Sequence, residues 1–179
     1  QDGHIGVSGV RCVSWFVDCT AFLAVLDRND GSTLWLRDFG PGLFRARGLD
    51  YRDGLYYLAG RVEADVHVDN VTVTSTSPNE DGAVIVINAT TGVALWAIKL
   101  EGSRSSEVHV VDDAIYVGCG TPGGGNCGTV STTLSDATVA FEGTYGTGVA
   151  KINMAGEPIW AADVPAGWAF ATTDDAVYM

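Results

Sequence analysis

A short apolar strand, a polar glycine turn and a strand carrying tryptophan occur together three times in this chain. The three copies span residues 22–36, 83–97 and 148–161. Each turn contains Gly preceded by Asp, Thr or Ala, at Asp30-Gly31, Thr91-Gly92 and Ala155-Gly156. Such turns suit a tight reversal because Gly tolerates positive φ and a nearby Asp or Asn bonds its own backbone. Each copy therefore predicts a β-hairpin, and a repeat of this kind constrains the fold more than composition does.

A second motif, a turn followed by a strand carrying tyrosine, comes after each of the first two tryptophans and again at the end of the chain. Trp35, Trp96 and Trp160 are 61 and 64 residues apart. The tyrosines that we align, Tyr56, Tyr116 and Tyr178, are 60 and 62 residues apart. Two landmarks with one period indicate a structural repeat, and we expect all six aromatic residues to pack between neighbouring units.

The repeating unit contains four strands, which we name a to d, and a four-stranded repeat of this length is typical of a β-propeller blade. The predicted class is all-β, an antiparallel propeller that is incomplete in this chain. Insertions at 61–81 and 120–146 separate strands b and c, and each is expected to hold an extra hairpin. The predicted division is the end of one blade (1–42), two full blades (43–104 and 105–167) and the start of another (168–179).

Composition excludes several classes of protein. Hydrophobic residues make up 46% and charged residues 18% of the chain, as in a globular protein. The net charge of -12 opposes nucleic-acid binding because it repels phosphate. No run of 18 apolar residues is present, so no membrane-spanning helix is expected.

The cysteines and two sequons suggest an oxidising compartment. Cys12 and Cys19 form one close pair, Cys119 and Cys127 another, and their spacing favours two local disulfides over a zinc site. Asn70 and Asn88 each begin an Asn-x-Thr triplet, so both are candidate glycosylation sites. These features together predict a secreted or cell-surface protein.

The residues do not indicate a catalytic centre, so no catalytic or cofactor-binding residue is nominated. The three histidines are scattered, and no Gly-x-Ser-x-Gly elbow is present. The oxygen-rich turn with Asp27, Asn29 and Asp30 resembles a calcium loop, but it lacks the distal Glu that such a loop needs. A plain hairpin turn is the favoured interpretation, and no cofactor is expected.

Two propeller repeat groups resemble these motifs. Residues 147–160 look like the bacterial β-propeller repeat called SBBP, and residues 86–96 are similar to the tryptophan-docking repeat of pyrroloquinoline-quinone (PQQ) dehydrogenases. Residues 26–35 fit less well, because Asp30 replaces the usual Thr. The resemblance covers residues 21–179; it implies a propeller fold and leaves the chemistry open.

The function expected from the sequence is that of a non-enzymatic extracellular scaffold, which binds further blades or neighbouring protein subunits. Unpaired strand edges near residues 21 and 179 are expected to be its contact sites. Two alternatives remain: a fragment of a quinoprotein dehydrogenase, and a carbohydrate-binding propeller that uses exposed tryptophans such as Trp15 or Trp168.

Overall fold

The computed structural model describes residues 3–14, 17–41, 44–76, 81–120, 127–143, 146–164, 171–172 and 177–178. All regular structure in these residues is β-strand, which confirms the all-β prediction. The strands are β1 His4–Ser14, β2 Val17–Asp27, β3 Thr33–Pro41, β4 Phe44–Arg52, β5 Leu55–Val62, β6 Val66–Val68, β7 Val71–Val73, β8 Asp81–Asn88, β9 Ala94–Leu100, β10 Arg104–Val111, β11 Ala114–Gly120, β12 Thr129–Thr132, β13 Thr138–Ala140, β14 Thr147–Asn153, β15 Pro158–Asp163, β16 Ala171–Thr172 and β17 Val177–Tyr178. The described part of the chain holds no helix long and apolar enough to cross a membrane.

The strands form successive antiparallel blades. The first blade has the order β1-β2-β3, and the third has the order β10-β11-β14-β15. The second blade, β4-β5-β8-β9, is extended by β12 and β13 into a six-stranded sheet. The short β16-β17 pair repeats the position of the first two strands of a blade. This is the architecture of an incomplete propeller.

Strand a and strand b meet at two-residue turns. In the second blade these residues are Asp53 and Gly54, both with positive φ (48° and 79°), and in the third blade Asp112 also has positive φ (40°). Such turns match the twist of a hairpin, and Asp tolerates the left-handed region better than most residues do. Strand β4 is continuous past Arg47 because a β-bulge absorbs this residue.

The first blade differs from the prediction. Strand β2 was expected to expose an edge near residue 21, but β1 pairs with it along nearly its whole length, from His4 opposite Asp27 to Ser14 opposite Val17. The expectation of an open edge there was therefore wrong. The glycines of β1 explain its position, since a Cβ on Gly6 would lie only 2.5 Å from the Tyr56 ring and one on Gly9 would lie 3.0 Å from Phe22.

Two hydrophobic cores lie between the blades. One joins the first and second blades through residues such as Leu23, Tyr56 and Ile85, and the other joins the second and third through Tyr57, Val84 and Ile115. Strand β8 contributes to both, and its residues from Asp81 to Ile87 are all buried. The continuous apolar run in this strand follows from its position between two neighbouring sheets.

Candidate interaction surface

The three tryptophans lie at one register position but differ in exposure. Trp35 lies opposite Val25, Trp96 opposite Val86 and Trp160 opposite Lys151, with a register shift beside each. Trp96 is 7% exposed, whereas Trp160 is 37% exposed. Trp96 packs into the core shared with the third blade, so burial depends on a following blade.

Trp35 shows how an outer-strand tryptophan docks on the next blade. Its Nε1 donates a hydrogen bond of 2.9 Å to the Ala89 carbonyl. Its ring packs over Gly92, where an added Cβ would lie 3.4 Å from the ring, and it meets the Tyr56 ring edge-on with centroids 6.2 Å apart. A glycine in the c–d turn therefore serves both the turn, with φ of 70°, and this close contact.

The strand register corrects the alignment of the tyrosines. Tyr57 lies opposite Val86 and Tyr116 lies opposite Lys151, so Tyr57 is the residue equivalent to Tyr116 and the prediction for Tyr56 is one residue out of register. Tyr56 packs towards the first blade, whereas Tyr57 packs towards the third. Burial raises the pKa of Tyr57 to about 12, and the charges of Asp53 and Asp50 add to this shift.

Each outer strand exposes an aliphatic residue immediately before its tryptophan. Leu34, Leu95 and Ile159 are 45%, 47% and 49% exposed. The register shift beside each tryptophan turns this residue outwards. The sequence showed the three residues in the repeat, but their exposure depends on a bulge that its pattern does not reveal.

The insertion of the second blade is the β6-β7 hairpin, here called the second-blade hairpin. Asp69 in its turn accepts a hydrogen bond of 2.8 Å from Arg37 of the first blade and one of 2.7 Å from the Ala94 N–H of β9. Arg37 also donates to the Gly92 carbonyl. Side chains thus fix this hairpin between the outer strands of two blades.

The insertion of the third blade is the β12-β13 hairpin, here called the third-blade hairpin, and it is held by main-chain pairing. Val130, Ser131 and Thr132 of β12 lie opposite Leu100, Lys99 and Ile98 of β9. The pairing continues beyond the strand ends, with Thr133 N–H bonded to the Ala97 carbonyl and Glu101 N–H to the Thr129 carbonyl. One repeat therefore adds a strand to the outer edge of the preceding blade.

Two clefts lie at corresponding places beside the outer strands. In the second blade, residues of β7, β9 and β12 line a cavity of about 190 Å³. In the third blade, β13 and β15 enclose a cavity of about 520 Å³, lined by Val139, Ala140, Glu142, Trp160, Ala161, Ala162 and Asp163. These clefts are the candidate contact sites of the outer rim.

A buried carboxylate stabilises the start of strand β8. Asp81 is fully buried and accepts hydrogen bonds from the main-chain N–H groups of Thr76 and Gly102, at 2.8 Å and 2.7 Å. Lys99 lies 3.7 Å from the same carboxylate. Gly102 lies 21 residues after Asp81 in the chain, so the sequence pattern does not reveal this network.

The turn that resembles a calcium loop uses its oxygens within the protein. Asp27 accepts from the Asn29 N–H and Asp30 from the Ser32 N–H. The hydrogen bonds from Ser32 lower the pKa of Asp30. Among the described residues, no three His, Cys, Asp or Glu side chains are grouped so as to hold a metal ion.

Disulfides join Cys12 to Cys19 and Cys119 to Cys127, as the sequence predicted. The first links residues directly opposite each other in the β1-β2 hairpin. The second connects the end of β11 to the chain entering β12. It therefore fixes the start of the third-blade hairpin.

The two sequons differ in local structure. Asn70 is exposed in the turn of the second-blade hairpin, beside Asp69. Asn88 is half-buried, and its side-chain oxygen accepts hydrogen bonds from the N–H groups of Thr90 and Thr91. The side chain of Tyr178, together with Trp15 and Trp168, lies outside the described residues.

A comparison with known families gives a match to the model described as outer membrane protein assembly factor BamB, over residues 21–125. The match spans more than half of the 179 residues. No curated protein matches the chain.

Proposed function

The chain belongs to the family of the outer membrane protein assembly factor BamB, whose members are β-propellers of PQQ-type repeats. We propose that this chain is a non-enzymatic scaffold module that acts through protein contacts. Its contact surface is the outer rim of the blades, formed by strands β3, β9 and β15 and the inserted hairpins. The family description supports a role in assembly rather than a particular chemistry.

The observation that carries this proposal is the repeated exposure of Leu34, Leu95 and Ile159. Full burial of a large aliphatic side chain contributes roughly 1.5–3 kcal/mol, and these three residues, nearly half exposed, forgo part of it. One exposed leucine is ordinary, but the same exposed position in three successive blades is a repeated feature of the rim. These residues provide apolar anchors for partner subunits.

We place this scaffold outside the reducing cytoplasm, at the cell surface or in a secreted state. The two disulfides support this location, since such bonds persist in oxidising compartments. The exposed Asn70 adds a position that a glycan could occupy if the protein is made in a secretory pathway.

A second candidate function, carbohydrate binding, is favoured by the third-blade cleft. Trp160 lines this cleft together with the carboxylates Glu142 and Asp163. An aromatic face beside hydrogen-bonding oxygens is a combination that could contact a sugar ring. Retention of the chain by immobilised oligosaccharides would support this alternative.

Site-specific photo-crosslinking in the producing cells tests the scaffold proposal. A photoreactive residue at Leu34 or Leu95 is expected to give protein adducts, whereas one at the exposed Asp113 in an a–b turn serves as the control. The purified chain with added PQQ and Ca²⁺ is expected to show no dye-linked dehydrogenase activity. Such activity, with no protein adduct at either leucine, would overturn the proposal in favour of a quinoprotein.

A further inference from the structure

The outer strands of the second and third blades, β9 and β15, have matching surroundings. A strand pairs with the outer edge of β9, and the corresponding position beside β15 holds no strand among the described residues. Strand β9 lies beside β7 of its own insertion and pairs with β12 from the next repeat. Strand β15 lies beside β13 of its own insertion in the same way. Among the described residues, no strand pairs with the outer edge of β15.

The register gives the equivalent residues. Ala83 lies opposite Lys99, and Gly148 lies opposite Asp163, so Asp163 occupies the position of Lys99. By the same count, Ala161 occupies the position of Ala97. Ala97 N–H bonds to the Thr133 hydroxyl and its carbonyl accepts from Thr133 N–H, so main-chain groups at this position point outwards.

The size of the two clefts agrees with a missing strand. The second-blade cleft, where β12 forms one wall, has a volume of about 190 Å³. The third-blade cleft beside β15 has a volume of about 520 Å³. One oxygen of Asp163 accepts from the Gly143 N–H. The other, Oδ1, is buried without a hydrogen-bond partner among the described residues. An unpaired buried acceptor is costly, so a donor is expected to reach it.

We infer that the cleft between β13 and β15 binds the insertion strand of a following propeller repeat, by strand addition to β15. The occupant is an antiparallel strand with the character of β12: an apolar residue opposite Val164, Ser or Thr opposite Asp163, and Thr opposite Ala161. In the second blade, Val130, Ser131 and Thr133 occupy these places, and Val130 is fully buried. A hydroxyl opposite Asp163 supplies the donor that Oδ1 lacks.

The repeat pattern points to a propeller repeat as the source of this strand. Strands β16 and β17 form a hairpin at the place of the next a–b pair, and β16 contacts β10 of the third blade. The insertion that follows such a pair lies against the preceding blade, as the third-blade hairpin lies against β9. This inference rests on the proposed function, because it names the partner strand for one part of the rim.

A peptide with the sequence of residues 128–142 is the probe for this site, mixed with the full 179-residue chain. Hydrogen exchange at the Ala161 and Asp163 amides is expected to slow by about tenfold or more at roughly millimolar peptide. The same peptide with Val130→Asp should give no protection, since a charge would replace the buried apolar side chain.

Two variants of the chain sharpen the test. Ala161→Pro removes an outward-facing N–H from an edge strand, where proline is tolerated, and should abolish protection at Asp163. Asp113→Asn, in the exposed a–b turn of the third blade and outside the cleft, should leave it unchanged. No protection by the peptide, even when its sequence is linked to the C-terminus by a flexible Gly/Ser segment, would overturn the inference. So would protection by an oligosaccharide and not by the peptide. Protein adducts at Leu34 or Leu95 would leave the proposed scaffold function standing in either case.

Discussion

The second-blade and third-blade hairpins occupy corresponding places and are attached in different ways. Arg37 and Asp69 fix the second-blade hairpin through side chains that are partly exposed. The third-blade hairpin uses main-chain pairing with β9 and the Cys119–Cys127 disulfide. The repeat therefore conserves the place of the insertion rather than its contacts, and the two attachments should respond differently to mutation and pH.

The largest expected effect concerns Trp96, which belongs to the strand that receives β12. It shares a core with Val130, Cys119 and Cys127, so its loss should destabilise the third-blade hairpin and the interface beneath it. Trp96→Ala is expected to lower the free energy of unfolding by about 3–5 kcal/mol in urea titration. The matched Trp160→Ala should cost less, about 1–2 kcal/mol, because that side chain is 37% exposed and buries less apolar area. Equal losses would contradict the assignment of Trp96 as the interface residue.

Removing the Cys119–Cys127 disulfide should have the next largest effect. The double change Cys119→Ala and Cys127→Ala is expected to cost about 2–3 kcal/mol, from the restored entropy of the unfolded chain and from partly lost packing of two buried side chains. Replacing Cys12 and Cys19 by Ala should cost less, since these residues face each other in a hairpin and Cys12 is exposed. A larger loss from the Cys12–Cys19 pair, measured by thermal unfolding, would reverse this ranking.

Asp69→Asn tests the side-chain attachment of the second-blade hairpin. The variant should lose about 1 kcal/mol, and hydrogen exchange should rise in β6 and β7 while β12 is unaffected. Asp136→Asn, an exposed carboxylate in the turn of the third-blade hairpin, is the control. A similar increase in exchange from both changes would indicate a general effect of charge.

Lowering the pH should loosen the second-blade hairpin before the third-blade hairpin, as the Asp69→Asn change does. Burial by itself would raise the pKa of Asp69, but hydrogen bonds from Ala94 and Arg37 lower it below 3.8. A group with a depressed pKa stabilises the fold above its unfolded pKa, and this contribution disappears as pH falls through the folded pKa. Below about pH 4, exchange in β6 and β7 should therefore increase before exchange in β12 does. Simultaneous loss would contradict the separate attachments.

Glycan occupancy should give the smallest effect on stability. Asn70 is exposed, whereas Asn88 is half-buried and its side-chain oxygen accepts hydrogen bonds from Thr90 and Thr91 within the turn. In material from a glycosylating host, peptide mass spectrometry is expected to find a glycan on Asn70 in preference to Asn88. Asn70→Gln should remove the mass increase with a change in unfolding free energy within about 0.5 kcal/mol.

The features predicted correctly from sequence are local ones. The turn at Asn88 and the strand with Trp96 lie within a few residues of each other, so the repeat reveals the hairpin directly. The pairing Cys119–Cys127 also follows from short separation. The tyrosine register was harder because Tyr56 and Tyr57 are adjacent, and a one-residue shift moves a side chain to the other face of a strand.

The features missed from sequence depend on contacts between distant segments. Strand β1 was missed because its glycines weaken the strand signal, and their purpose appears only beside the rings of Tyr56 and Phe22. The addition of β12 to another blade was likewise hidden, because residues 129–132 do not indicate which strand they join. Burial of Asp81 depends on donors at residues 76 and 102, which only the fold brings together.

Native-state hydrogen exchange of the free chain tests most directly the claim that one repeat completes the outer edge of the preceding blade. Lys99 of β9 and Glu101, which follows the strand, face the added strand β12. Asp163 of β15, the counterpart of Lys99, faces the open cleft. The account predicts that the amides of Lys99 and Glu101 exchange about a hundredfold more slowly than those of Ala161 and Asp163. Equal exchange at the two edges would show that β12 does not pair with β9 in solution, and would contradict the account.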